Sequence, residues 1–196
     1  MRGASRSTRP CVPVLVPYHG GSPVSDGAPG LSPPEASPFW RFSLRFYRQP
    51  GVAEACIALQ DEAGVDVNLL LFLLWQATHK RALSKAEVEA IEQRIAPWRE
   101  ATVVALRAVR RALRSPPALV APAAAELFRT RIKAVELEAE RLQQEGMFEL
   151  ARASALGREV ASTREAAQAN VASYAAAVRA TFPGDAVETV LAAVRA

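Results

Sequence analysis

Apolar residues recur at helical spacing along most of this chain, and no stretch alternates in the way a half-buried strand does. The first ordered segment is "SPFWRFSLRFYRQPG", in which Ser37 suits an N-cap and Pro38 the first helical position. Pro50 biases Gln49 away from helical geometry, so the first helix is expected over residues 38–48. Phe39, Trp40, Phe42, Leu44, Phe46 and Tyr47 cover most of its circumference, while Arg41, Arg45 and Arg48 form one stripe at i, i+4, i+7.

A second helix is expected from Pro50 to about Ala63, with Val52, Cys56, Leu59 and Ala63 buried and Glu54 and Asp61 on another face. Gly64 can take the left-handed conformation that closes a helix. A third, Val67 to Thr78, is apolar all round at its centre and so predicts a helix surrounded by others. His79, Lys80 and Arg81 then supply cations at the negative end of its dipole. "SKAE" is a capping box, with Ser84 as cap and Glu87 reaching back, and opens a fourth helix carrying Val88, Ile91 and Ile95. The stripe continues across an expected break at Pro97 into Trp98, Thr102, Leu106, Val109 and Leu113, which predicts a fifth helix on the same core.

After "SPPALVAP", a linker over residues 115–122, Phe128, Ile132, Val135, Ala139 and Leu142 follow the 4,3,4,3 spacing of a coiled-coil-like seam. The charges around them alternate in sign, as on a solvated helix. The remainder is alanine-rich, broken by Gly157 and by "PGD" at 183–185, and is expected to pack weakly on the core or to bind a partner. The expected fold is all-α: a compact orthogonal or bundle-like domain of about six to eight helices with no sheet. Its expected parts are a Pro/Gly-rich extension over 1–37, a helical core over 38–114, the linker, and C-terminal helices over 123–196 that pack on the core.

Composition qualifies this reading in few places. Residues 1–37 hold seven of the 14 prolines and five of the ten glycines, which predicts either disorder or translated sequence upstream of the true start. Arg2, Arg6 and Arg9 before "CVPVLVP" imitate a signal peptide, but Pro13 and Pro17 interrupt an apolar run already too short for one. No apolar run approaches the ~20 residues of a membrane span, so the expected location is the cytoplasm. A formal charge of +4 is too small to argue for nucleic acid. Lys80, Lys85 and Lys133 are the only lysines among 24 basic residues, a bias of GC-rich genomes that weakens arguments from arginine abundance. Cys11 and Cys56 read as free thiols in a reducing compartment. With only His19 and His79 beside them, no metal site and no cofactor are expected.

The abrupt passage "QDEAGVDVNLLLFLLW" is where chemistry would sit. Asp66 reads as the N-cap of the third helix, accepting from the backbone N–H groups of Asn68 or Leu69. The functional alternative joins Asp61 and Asp66, with Glu62, into a Mg²⁺ or acid–base cluster, for which acid spacing alone is a weak signal. Asp61 and Asn68 are the polar residues of this corner without an assigned structural task. Arg41, Arg45 and Arg48 either bind an anion or pair with Glu54 and Asp61 across an antiparallel turn. Arg107, Arg110, Arg111 and Arg114 have no acid nearby in sequence to answer them. They make a candidate anionic-partner face, with a solvated face as the alternative. Trp40, Trp75 and Trp98 lie on apolar stripes and read as core. Cys56, on a buried face, is a poor nucleophile candidate, and no phosphate-binding loop, HExxH or GxSxG is present.

Residues 39–75, "FWRFSLRFYRQPGVAEACIALQDEAGVDVNLLLFLLW", carry a W-x-F-S-L-x-x-Y start, a PGV turn, an A-C-x-x-L-Q-D helix and a G-x-D-V-N-L-L-L-F-x-L-W run. In these motifs the chain resembles a family of uncharacterised proteobacterial proteins, the domain-of-unknown-function 2390 type, although Ile57 replaces a leucine of the pattern. The resemblance implies a small helical bacterial protein and brings no activity, cofactor or catalytic residue with it.

The leading functional expectation is a non-enzymatic protein that binds another protein, with a homo-oligomer as one form of that. The rivals are a Mg-dependent helical enzyme acting on a diphosphate through Asp61 and Asp66, and nucleic-acid binding through the Arg107 to Arg114 face. Nucleic acid is not the expected partner, since that face lacks interleaved aromatics.

Overall fold

The computed structural model describes residues 36–194, so the expectations for residues 1–35, including Cys11 and His19, lie outside the described residues. Within them the chain forms α1 (Pro38–Tyr47), α2 (Val52–Ala63), α3 (Val67–Thr78), α4 (Lys85–Trp98), a π-helical segment (Arg99–Val104), α5 (Ala105–Ala112), α6 (Pro122–Ala153), α7 (Thr163–Val178) and α8 (Gly184–Ala193). The class is all-α, as the apolar spacing predicts. Ser37 caps α1 by accepting from the Trp40 N–H, and Ser84 and Glu87 close the capping box at α4.

α3 is the axis of the core. Eleven of its twelve residues are buried, and α1, α6 and α7 pack around it. Phe39 meets Phe72 edge to face at 5.4 Å, and Trp75 lies 5.7 Å from Phe148 of α6. On the other side Ala166, Ala167, Val171 and Tyr174 of α7 are buried with it. Small side chains at 166 and 167 allow close approach, so the alanine-rich C-terminal region contributes core rather than lying loosely on it.

The structure corrects the sequence reading in three places. A two-stranded antiparallel sheet exists: β1 (Arg81–Ala82) pairs with β2 (Arg158–Glu159), in register Arg81 to Glu159 and Ala82 to Arg158. Strands of two residues carry no period-two pattern, so spacing could not announce them. Gly157 makes the pairing possible, because its φ is +67° and a Cβ there would stand 2.8 Å from the Ala82 carbonyl oxygen. Asn170 of α7 locks the same corner, its amide nitrogen donating to the carbonyls of Leu73 (2.8 Å) and Arg81 (3.0 Å) and its oxygen accepting from the Leu83 N–H (2.6 Å).

Pro97, secondly, does not break the helix. It lies inside α4, and the helical run continues through the π segment into α5. Proline removes one N–H from the ladder and crowds the preceding turn, yet α4 runs on to Trp98 and the wider π turn follows at once. The π segment also rotates everything after it relative to α4. Val88, Ile91 and Ile95 are buried as expected; Val109, beyond the π segment, leaves that face and is exposed, and Trp98, at the end of α4 before it, is exposed as well. α5 consequently packs on α6.

The third correction concerns α6. Of its expected apolar seam, Phe128, Val135 and Leu142 are 50%, 51% and 45% exposed, and only Ala139 is fully buried. The buried residues of this 32-residue helix are Ala125, Glu136, Ala139, Glu140, Gln143, Gln144 and Met147. Its polar side faces inward.

Candidate functional site

The site is built at the corner between α2 and α3. Gly64 takes φ +67° and closes α2 with its N–H on the Gln60 carbonyl at 3.1 Å. Two residues later Asp66 caps α3, its Oδ1 accepting from the N–H groups of Asn68 (2.8 Å) and Leu69 (3.4 Å). The other oxygen has separate partners: Oδ2 accepts from Arg99 Nη1 at 3.3 Å and Gln143 Nε2 at 2.9 Å. The Asp66 N–H donates to the hydroxyl of Tyr174 at 2.8 Å. Asp66 thus joins α3, the π segment and α6 through its carboxylate, and α7 through its backbone.

Asn68 is buried and accepts from Gln144 Nε2 at 2.7 Å. Next to it on α6, Glu136 takes both Arg107 Nε (3.1 Å) and a two-pronged contact from Arg110, whose Nη2 lies 3.1 Å from Oε1 and whose Nε meets Oε2. Glu140 accepts from Arg107 Nη2 at 2.8 Å. Trp98, though exposed on its ring, donates Nε1–H to the Ala139 carbonyl at 3.0 Å and pins the start of the π segment to α6. Buried carboxylates are tolerated only when paired, and here α5 supplies the pairs.

Between these elements lies a cleft of about 230 Å³, lined on its polar side by Asp66, Glu92, Arg99, Arg107, Glu140 and Gln143 and on its apolar side by Val67, Val103, Val104 and Val178. Arg99 sits between Asp66 and Glu92, 2.6 Å from Glu92 Oε1. Asp66, Glu92, Glu136 and Glu140 thus face Arg99, Arg107 and Arg110, four carboxylates against three guanidiniums. Three side-chain oxygens at the cleft, Glu92 Oε2, Glu140 Oε2 and Gln143 Oε1, are buried and unpartnered. Burial, and secondarily the neighbouring Glu136 and Asp66 charges, push the Glu140 carboxyl up to about 7 against the pull of Arg107. Burial also raises the Tyr174 hydroxyl well above its ordinary value.

The sequence-predicted residues divide sharply. Asp66 and Asn68 are at the cleft, and Asp66 caps α3 as expected. Asp61 is exposed on α2 and does not line it. Arg107 and Arg110 are answered by α6 instead of facing solvent, whereas Arg111 and Arg114 are exposed. Arg41, Arg45 and Arg48 are exposed on α1. Arg41 donates to the Ala36 carbonyl at 3.0 Å, and among the described residues no ion pair joins Arg45 or Arg48 to Glu54. Sequence reasoning missed Glu92, Arg99, Glu136, Glu140, Gln143 and Tyr174. The signal for two of them was present: Glu136 and Glu140 stand one turn apart on α6, as Arg107 and Arg110 stand one turn apart on α5.

Among the described residues no three His, Cys, Asp or Glu side chains are placed to hold a metal ion, and Asp61 does not line the cleft that Asp66 lines. Cys56 is buried and its thiol is pushed up to about 12 by that burial, so it is not a nucleophile near neutral pH.

A family described as protein of unknown function (DUF2390) has a model that matches residues 38–147. The chain belongs to that family. The matched stretch runs from the first residue of α1 to Met147 of α6 and contains every charged residue of the cleft, while Tyr174 lies beyond it. Neither the curated proteins nor the solved structures contain a match to this chain. Among the described residues no helix is long and apolar enough to cross a membrane.

Proposed function

We propose that the protein acts without catalysis of its own, by binding an acidic amphipathic helix of another protein along the exposed side of its α5–α6 hairpin. The observation that carries this reading is the outward turn of the α6 apolar stripe. Phe128, Val135 and Leu142 are about half exposed, Leu127 accompanies them, and Val104 and Val109 are exposed on the run that packs against α6. Phe128, Val135 and Leu142 recur every seven residues, one row of a seam that a partner helix can meet.

Charge specifies the partner. Outside the buried cluster, residues 105–142 carry six cations and two anions. Glu126 and Glu138 are paired with Arg129 and Arg141, and Arg111, Arg114, Arg131 and Lys133 make no ion pair among the described residues. A second copy would bring like charges together, which disfavours self-pairing. A partner helix with acidic flanks satisfies both the stripe and its rim.

Lys133, exposed on α6, permits a direct test with an amine-reactive crosslinker in the native host. A stoichiometric partner crosslinked at Lys133 through an acidic helix, and lost with Phe128→Asp plus Val135→Asp, is the expected result. Equal capture by that variant overturns the reading. So does salt-sensitive binding of nucleic acid alone that is abolished by Arg111→Glu plus Arg114→Glu.

A further inference from the structure

The cleft at Asp66 has a deficit of one positive charge and an excess of hydrogen-bond acceptors, and the two point the same way. A buried acceptor without a partner keeps the cost of its lost hydration, so three around one cleft are a standing demand for donors. Water can supply donors and leaves the charge uncorrected, and above about pH 7 the Glu140 proton that would correct it is released. An inner-sphere metal is not what the side chains are arranged for. An anion would compete with carboxylates already held by Arg99 and Arg107.

We propose that this cleft binds a small free organic monocation carrying several N–H donors, an ammonium or guanidinium group on a short apolar body. Its N–H groups pair with Glu92 Oε2, Glu140 Oε2 and Gln143 Oε1, and its charge offsets the fourth carboxylate. Two of those three side chains, Glu140 and Gln143, are more than nine-tenths buried. The apolar body rests on Val103, Val104 and Val178. About 230 Å³ is the share of roughly seven waters, which sets the size of the occupant. The proposal rests on the inward side of α6 and shares only Val104 with the hairpin's exposed stripe, so the two readings fail separately.

Calorimetry on the full chain at pH 8 tests it, with methylguanidinium and n-propylammonium as probes. The controls are tetramethylammonium, which has charge and no N–H, magnesium, and a capped arginine tripeptide. Either probe is expected to bind with a Kd of about 1 mM or tighter. Loss of one charge-assisted contact in Glu140→Gln should weaken it about tenfold to hundredfold. Glu92→Gln provides a second variant if the first is misfolded, and Glu126→Gln on the exposed side of α6 should leave binding unchanged. Absence of heat from both probes overturns the proposal. Equal binding of tetramethylammonium, binding of magnesium in preference, or binding of the tripeptide alone does the same.

Discussion

α3 and α6 lie against each other and are buried by opposite means. α3 is enclosed because nearly every side chain on it is apolar, and its burial follows from transfer of those side chains out of water. α6 turns Glu136, Glu140, Gln143 and Gln144 inward and leaves Phe128, Val135 and Leu142 partly in solvent. Its inner face is held by Arg107, Arg110, Asp66 and Asn68, through specific bonds whose partners come from other elements. A hydrophobic pattern reports burial of the first kind and is blind to the second.

The contrast can be broken most severely at Glu136. Glu136→Ala removes the acceptor shared by two arginines, one of them buried, and takes from Arg110 its two-pronged partner while Arg107 keeps Glu140. Breaking such a pair costs about 3–5 kcal/mol, which urea denaturation should register as a large fall in midpoint with little change in slope. Leu73→Ala, its apolar counterpart, should cost about 2–5 kcal/mol through lost transfer energy and a cavity. If Glu136→Ala proves no worse than an exposed substitution, the buried face of α6 is not a structural element and the comparison fails.

What could be read from sequence follows the same division. α1 to α4 were legible because their caps and apolar faces are local: Ser37, Gly64, Asp66, and Ser84 with Glu87 each act within a few residues of the helix end they serve. The corner at Asp66 was legible as a cap, and its second oxygen was not, because Arg99 and Gln143 lie 33 and 77 residues away in sequence. Pro97 misled for a different reason. The helix carries its proline internally, and the π segment that follows shifts the phase of every later position, so a stripe projected past residue 98 points the wrong way. The family resemblance over residues 39–75 was specific, and it ends before most of the cleft.

Glu140 sharpens the comparison through pH. Its carboxyl is raised from an ordinary 4.5 to about 7, so between those values the folded protein holds a proton that the unfolded chain has released. Stability from this group is therefore complete below pH 4.5, declines as pH rises, and is gone above about pH 7. The groups facing it are Asp66, Arg107, Glu136 and, across the cleft, Glu92, Arg99 and Tyr174. Glu140→Gln keeps an oxygen for Arg107 and brings the carboxylates level with the guanidiniums. The variant should match the wild type near pH 4.5 and exceed it at pH 8, by up to roughly 3 kcal/mol from the linkage of 1.36 kcal/mol per pH unit. Urea midpoints of the two proteins across this range measure the difference. Parallel curves would mean that Glu140 is ionised throughout.

The smallest effect is expected where the sequence pattern promised one of the largest. Were Phe128 and Val135 core residues of a coiled-coil seam, replacing both by serine would cost several kcal/mol, since each buried apolar side chain of that size contributes about 1.5–3 kcal/mol. Both are about half exposed, so only part of that contribution is at stake in the folded chain. Phe128→Ser with Val135→Ser should therefore lower stability by no more than about 1 kcal/mol per site. The helix propensity of serine is close to that of the residues it replaces, so α6 itself should persist. Thermal unfolding of the isolated protein makes the measurement, and the same variant should lose the hairpin's partner. A large loss of stability in the isolated chain would place the seam in the protein's own core, and would remove the exposed stripe from which binding is argued. A melting temperature that falls little, with binding lost, separates the two sides of α6 cleanly, the polar side holding the fold and the apolar side facing the partner.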